Sequence, residues 1–202
     1  MIKHYSSKRA MIDILSIKEQ VIRAFKNERK YKPFLDFIFA KDYLNDDDIE
    51  FPSMKLISEA INLNYTQLSK LIKELYYRLF DDEVLNFKFD FKEVEIVFYI
   101  RYFDNYAQFS CKRMNYIPRV GEQVNMDFVN AKIGTSMFYV DRIEHSFESN
   151  KQIVYISLKS GLFNQYLYDR KHKAVEYGEI DFSTFYSGNE FDIREAIGLR
   201  KY

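Results

Sequence analysis

The chain has 202 residues, 30 basic against 30 acidic, so its formal net charge is zero; it is 47% hydrophobic and carries 17 Tyr and 19 Phe but no Trp. That length suits one large domain or two small ones, and the aromatic content excludes a disordered chain. The charge balance excludes a strong non-specific nucleic-acid binder, whose affinity would come from neutralising phosphates.

The N-terminus, "MIKHYSSKRAMIDILSIKEQ", is broken by charges and lacks the apolar stretch of a signal peptide. No window approaches the roughly 18 uncharged apolar residues of a membrane span. A cytoplasmic protein with no membrane partner is expected. All six glycines follow residue 120. Glycine weakens helices and serves turns, so a helical front and a turn-rich back are expected.

In "SIKEQVIRAFKNERK", Ser16 and Glu19 have the spacing of a capping box ahead of an amphipathic helix. In "YKPFLDFIFAKDYL", Pro33 suits a first helical position, and Phe34, Leu35, Phe37, Ile38 and Phe39 make a helix apolar almost all round. "NDDDIEFPS" breaks the pattern with turn formers and Pro52. The run Asp46, Asp47, Asp48 lacks the glycine and spaced ligands of a calcium loop and is taken as a solvated turn.

The segment "SMKLISEAINLNYTQLSKLIKELYYRLF" is the most informative. Ser53 can cap a short helix, with Ile57 and Ile61 on one face. Asn62 can take the left-handed conformation that ends a helix, Leu63 can plug the turn, and Asn64 with Gln67 forms a second capping box. Leu68, Leu71, Ile72, Leu75 and Leu79 then make one buried stripe. Tyr65, Thr66, Gln67, Ser69, Lys70, Lys73 and Tyr77 fall outside it, and these types donate to phosphates and base edges.

On Ile57, Ile61, Leu63, Leu68 and Ile72, residues 53–80 resemble the helix-turn-helix superfamily of DNA-binding proteins. The resemblance implies double-stranded DNA as partner, with the second helix in the major groove and contacts from Tyr65, Thr66, Gln67, Ser69, Lys70 and Lys73. Asn62 stands where many members have glycine. Residues 51–86 hold four basic residues against five acidic ones, Asp82 and Glu83 among them. A homodimer or a second contact surface must therefore add affinity.

From Phe87 the period changes to two: Phe87, Phe89 and Phe91, then Val94, Ile96, Phe98 and Ile100. This run either joins a β core or forms a wing beside the second helix, and its apolar content favours the core. "YAQFSC", "EQVNMDFV", "SMFYVDRIEHSF" and "QIVYISL" add strands between turn signals. "YIPRVGEQVNMDF" and "FYVDRIEHSF" have the look of a small SH3-like barrel. The last segment, from "GLFNQYLYDRKHKAVEYGEI", leaves its structure open.

Enzyme signatures are absent. No glycine precedes residue 121 to cradle a phosphate; His4, His145 and His172 are isolated; and one cysteine, Cys111, builds neither a disulfide nor a zinc site. Cys111 is taken as a small core residue. Lys112–Arg113, Arg119 and the "DRKHK" run with Arg170, Lys171 and Lys173 are taken as solvated charge.

The expected class is α+β. A helical domain with a helix-turn-helix (1–82) precedes a small antiparallel barrel-like domain (83–165) and a C-terminal segment (166–202). The expected function is sequence-specific DNA binding, in transcription regulation, with no cofactor, metal or small-molecule substrate and no enzymatic activity. The alternative is a structural or adaptor protein making protein–protein contacts, with Tyr65, Tyr76 and Tyr77 as an aromatic surface.

Overall fold

The structure is a computed structural model that describes residues 5–81, 85, 87–187 and 190–199. His4, Asp82, Glu83, Gly188 and the expected boundary at residues 82–83 lie outside the described residues.

Five helices open the chain: α1 (Ser7–Ser16), α2 (Lys18–Phe25), α3 (Lys32–Ile38), α4 (Met54–Ala60) and α5 (Tyr65–Asp81). The capping box expected at Ser16 and Glu19 does not form. Ala10, Met11 and Ile14 are fully buried, and this stripe carries α1 back to Ser7, where the Ser6 hydroxyl accepts from Arg9 N at 3.1 Å. Ser16 therefore closes α1, donating to the Asp13 carbonyl at 2.8 Å, and α2 starts without a side-chain cap. Pro33 sits in the first turn of α3, and Phe34, Leu35 and Ile38 are buried. In the loop after α3, Asp46 takes the Asp48 N–H at 3.1 Å, a local turn within the acidic run. Apolar residues of all five helices share one core, with α5 against α1 and α4.

Residues 87–92 alternate as a strand would, yet form none. Their backbone finds its partner in a side chain. Gln20 of α2, 1% exposed, donates through Nε2 to the Asp90 carbonyl at 2.9 Å and the Ser149 carbonyl at 3.0 Å, while its Oε1 accepts from Asp90 N at 3.2 Å. Arg23 adds an ion pair to Asp90 at 3.0 Å and a bond to the Lys88 carbonyl at 3.1 Å. Phe89 stacks on Phe80 and Phe91, with centroids 5.6 and 6.3 Å apart.

The strands are β1 (Glu93–Tyr102), β2 (Asn105–Cys111), β3 (Gln123–Asn125), β4 (Met137–Glu148) and β5 (Lys151–Ser160). They form a sheet in the order β2-β1-β5-β4-β3, with β3 antiparallel to β4 and Val124 opposite Phe138. The barrel expected from the sequence is not closed. Closure would pair β2 with β3, but β3 is only three residues long, and the chain leaves it for a 3-10 turn (Asp127–Val129) and a short helix, α6 (Asn130–Ile133). A closed barrel needs long, tilted strands all round. Cys111 ends β2 half-buried.

The stretch "YIPRVGE" is organised by Glu122, which accepts from Arg119 N at 2.9 Å and from the Tyr116 hydroxyl at 2.8 Å. Gly121 there has φ +88°, and a Cβ would meet the Phe163 ring at 2.9 Å, so only glycine fits. The C-terminal segment is helical: α7 (Gln165–Glu176), α8 (Phe182–Ser187) and α9 (Glu190–Ala196), around Leu167, Ala174, Ile180, Ile193 and Ile197.

The class is therefore mixed α+β with an open sheet. Contacts divide the chain into two units, residues 1–96 with 145–154 and residues 97–144 with 155–202. Among the described residues no helix is long and apolar enough to cross a membrane.

Replacing Gln20 with leucine removes the amide and strands backbone groups of Asp90 and Ser149. Urea unfolding of Gln20→Leu is expected to show a loss of about 3 kcal/mol, the sum of more than one unsatisfied polar group. An unchanged midpoint would show that these groups find other partners.

Candidate nucleic-acid interface

The surface around α4 and α5 is built by its turn. Ser53 caps α4 by accepting from Leu56 N at 3.2 Å. Asn62 takes φ 56°, the left-handed conformation that turns the chain out of α4, and Leu63 N returns to the Ser58 carbonyl at 2.9 Å. Leu63 is partly buried against the helical core. The second capping box is reciprocal: Asn64 Oδ1 accepts from Gln67 N and Gln67 Oε1 accepts from Asn64 N, each at 2.9 Å. Two of the N–H groups at the start of the chain's longest described helix are thereby satisfied within the turn.

All five stripe residues of α5, Leu68, Leu71, Ile72, Leu75 and Leu79, are buried. The expected contact residues divide into groups. Tyr65, 63% exposed, lies with exposed Thr66, Gln67 and Lys70 around the first turns. Lys73 is half-buried one turn on. The Oε1 of Gln67 is occupied by the cap. Ser69 turns toward α1, its hydroxyl 2.6 Å from that of Ser7. Tyr76 packs its ring against Tyr5 at 5.0 Å and donates its hydroxyl to Asp13 at 3.1 Å, whereas Tyr77 is exposed.

The electrostatics of α5 also divide along its length. In its second half, Glu74 pairs with Lys30 and accepts from the Tyr31 hydroxyl, and Arg78 pairs with Glu28. The hydrogen bond from Lys30 holds the Glu74 carboxyl below its ordinary range, and the same bond raises Lys30. Burial raises the Tyr31 phenol. Lys70 and Lys73 make no ion pair among the described residues. They are the cations α5 presents from its first half.

Elsewhere, Arg170 pairs with Glu179 and donates to the Ile197 carbonyl at 3.1 Å, and Lys112, Arg113, Arg119 and Lys173 are exposed. His145 Nδ1 lies 3.0 Å from the Gln152 amide, and the His172 ring lies between those of Tyr168 and Phe185. Among the described residues no group of three or more His, Cys, Asp or Glu is placed to hold a metal ion.

No family model, no curated protein and no solved structure matches this chain.

Two outcomes are expected. Asn64→Ala and Asn62→Ala should each lower stability by about 1 kcal/mol in denaturant titrations, one by loss of a cap and the other by forcing alanine into the left-handed region. Glu74, with its folded pKa depressed, stabilises above its unfolded pKa, and this contribution is lost as pH falls through the folded value. Glu74→Gln should therefore lower stability at neutral pH and flatten its acid dependence below about pH 4. Parallel wild-type and variant curves would remove Glu74 from the acid response.

Proposed function

We propose that the chain binds double-stranded DNA sequence-specifically, in regulating transcription, and that α4 and α5 act as a helix-turn-helix. One observation carries this reading. The capped turn leaves Tyr65, Thr66, Gln67 and Lys70 exposed on the opening turns of α5, while the opposite stripe is fully engaged in the core. Recognition helices meet base edges with their N-terminal residues. Thr66 and the Nε2 group of Gln67 are groups for base edges, Lys70 and Lys73 for phosphates, and Tyr65 for either the backbone or a thymine methyl. Two lysines supply little affinity, so a homodimer, placing two such helices about one DNA turn apart, completes the proposal.

A second reading uses the same surface for a protein partner. Leu56 of α4 and Tyr65, Tyr77 and Phe80 along α5 are each half exposed or more, and aromatic anchors of this kind are enriched in protein interfaces.

The test is binding of the full chain to random duplex DNA across a salt series. Binding that weakens with salt is expected, and Lys70→Ala/Lys73→Ala should reduce affinity and lower the salt slope by about 2. Absence of binding by folded protein at about 50 mM salt would reject DNA in favour of the protein-contact reading.

A further inference from the structure

The alternation of β1 and β5 buries Phe98 and Ile100, and Ile156 and Leu158. It turns Tyr99, Arg101, Ser157 and Lys159 to the other face of the sheet. There they line a cleft of about 380 Å³ together with Asp141 and Arg142 of β4. Helices α7 and α8 wall it with Tyr168, Lys171, His172, Phe185 and Tyr186. This volume is that of a small-molecule site and far too small for a duplex.

The lining is rich in cations. Arg101, Arg142, Lys159 and Lys171 line the cleft with Asp141; Lys159 pairs with Asp141 at 3.0 Å, and Arg142 with Glu144 at 3.3 Å. Lys171 is only 9% exposed. The Arg142 guanidinium lies over the Tyr186 ring, 4.8 Å from its centroid. Its Nε is buried and makes no hydrogen bond. A Glu144 oxygen stands 3.3 Å from that nitrogen and pairs with its charge without making a hydrogen bond. A buried guanidinium N–H without an acceptor is costly, and an anionic oxygen is the group that satisfies it best.

Planar rings flank these cations. Tyr168, His172 and Phe185 form a row with centroids 4.5 and 4.8 Å apart, and Tyr99 stacks on Tyr155 at 5.9 Å. Cations beside aromatic faces suit a ligand that joins a phosphate to a planar ring.

We propose that this cleft binds a free nucleotide. Arg101, Arg142 and Lys159 hold its phosphate, and the base lies against the tyrosine faces. The site shares no residue with α5, so it stands or falls apart from DNA recognition.

The test is isothermal titration of the full chain with the four ribonucleoside 5′-monophosphates, the corresponding nucleosides, inorganic phosphate and a short single-stranded oligothymidylate. At least one monophosphate is expected to bind, about tenfold or more tighter than its nucleoside or phosphate alone. Arg142→Gln should weaken it about tenfold or more, a charge-assisted contact being lost. Arg101→Gln, at an exposed position, provides a second variant should Arg142→Gln fail to fold. Lys70→Ala/Lys73→Ala should leave this binding intact, and Arg101→Gln and Arg142→Gln should leave duplex binding intact. Four results would overturn the proposal: no heat from any monophosphate at millimolar concentration, phosphate binding as tightly as nucleotide, tighter binding of the oligothymidylate, or folded Arg101→Gln and Arg142→Gln variants that bind like wild type.

Discussion

The constraint on which the helical unit depends is the buried amide of Gln20. A primary amide can meet a peptide group on both sides, giving to its carbonyl and taking from its N–H. Gln20 does this at Asp90 and also reaches the Ser149 carbonyl. Ser149 is gripped a second time, its N–H bonding the Ser16 carbonyl at 2.7 Å. With φ 50° at Ser149 the tight turn between β4 and β5 is itself unusual for a non-glycine residue, and its polar groups are held by α1 and α2. These bonds explain why residues 145–154, distant in sequence, group with residues 1–96. They also explain how residues 87–92 run extended without a neighbouring strand.

The same economy of polar groups shapes α5. Its apolar stripe is locked in the core, and a hydroxyl pair to α1 fixes Ser69. Ion pairs with Lys30 and Glu28 fix Glu74 and Arg78. Arg23 and Arg78 spend their charge within the unit, and each also lies over an aromatic ring, Phe87 and Phe25 respectively. Arg23 and Arg78 are thus cations engaged inside the unit rather than offered to a partner. The cations α5 presents lie in its first half, where the capped turn leaves the helix uncovered.

The aromatic abundance serves the sheet differently on its two faces. Phe98 stacks with Phe109 at 5.0 Å, and Phe109 meets Phe128 edge-on at 5.4 Å. The opposite face mixes tyrosines with arginine and lysine, and α7 and α8 enclose rather than fill it. An open sheet permits this, because neither face is the inside of a barrel.

Much of this was legible in the sequence because it is local. A cap, its partner three residues on, and a stripe at helical spacing are decided within one or two turns, so the α4–turn–α5 unit, with Asn62, Leu63, Asn64 and Gln67 in their roles, follows from residues 53–80. Period-two runs likewise located β2, β4 and β5. What sequence spacing left undecided depends on groups far apart in the chain. Ser16 has the spacing of a cap, but the buried stripe of α1 claims it. Ser69 lies outside the apolar stripe of α5, but α1 widens the covered face. Residues 87–92 have strand periodicity, but a glutamine takes the place of a strand. Lys171 and His172 sit in a run of charge that resembles solvated surface, and only the tertiary structure brings them into the lining of one cleft with Arg142. Periodicity specifies which side of an element is apolar; what stands opposite each side is fixed by tertiary packing and by the hydrogen bonds of buried polar groups.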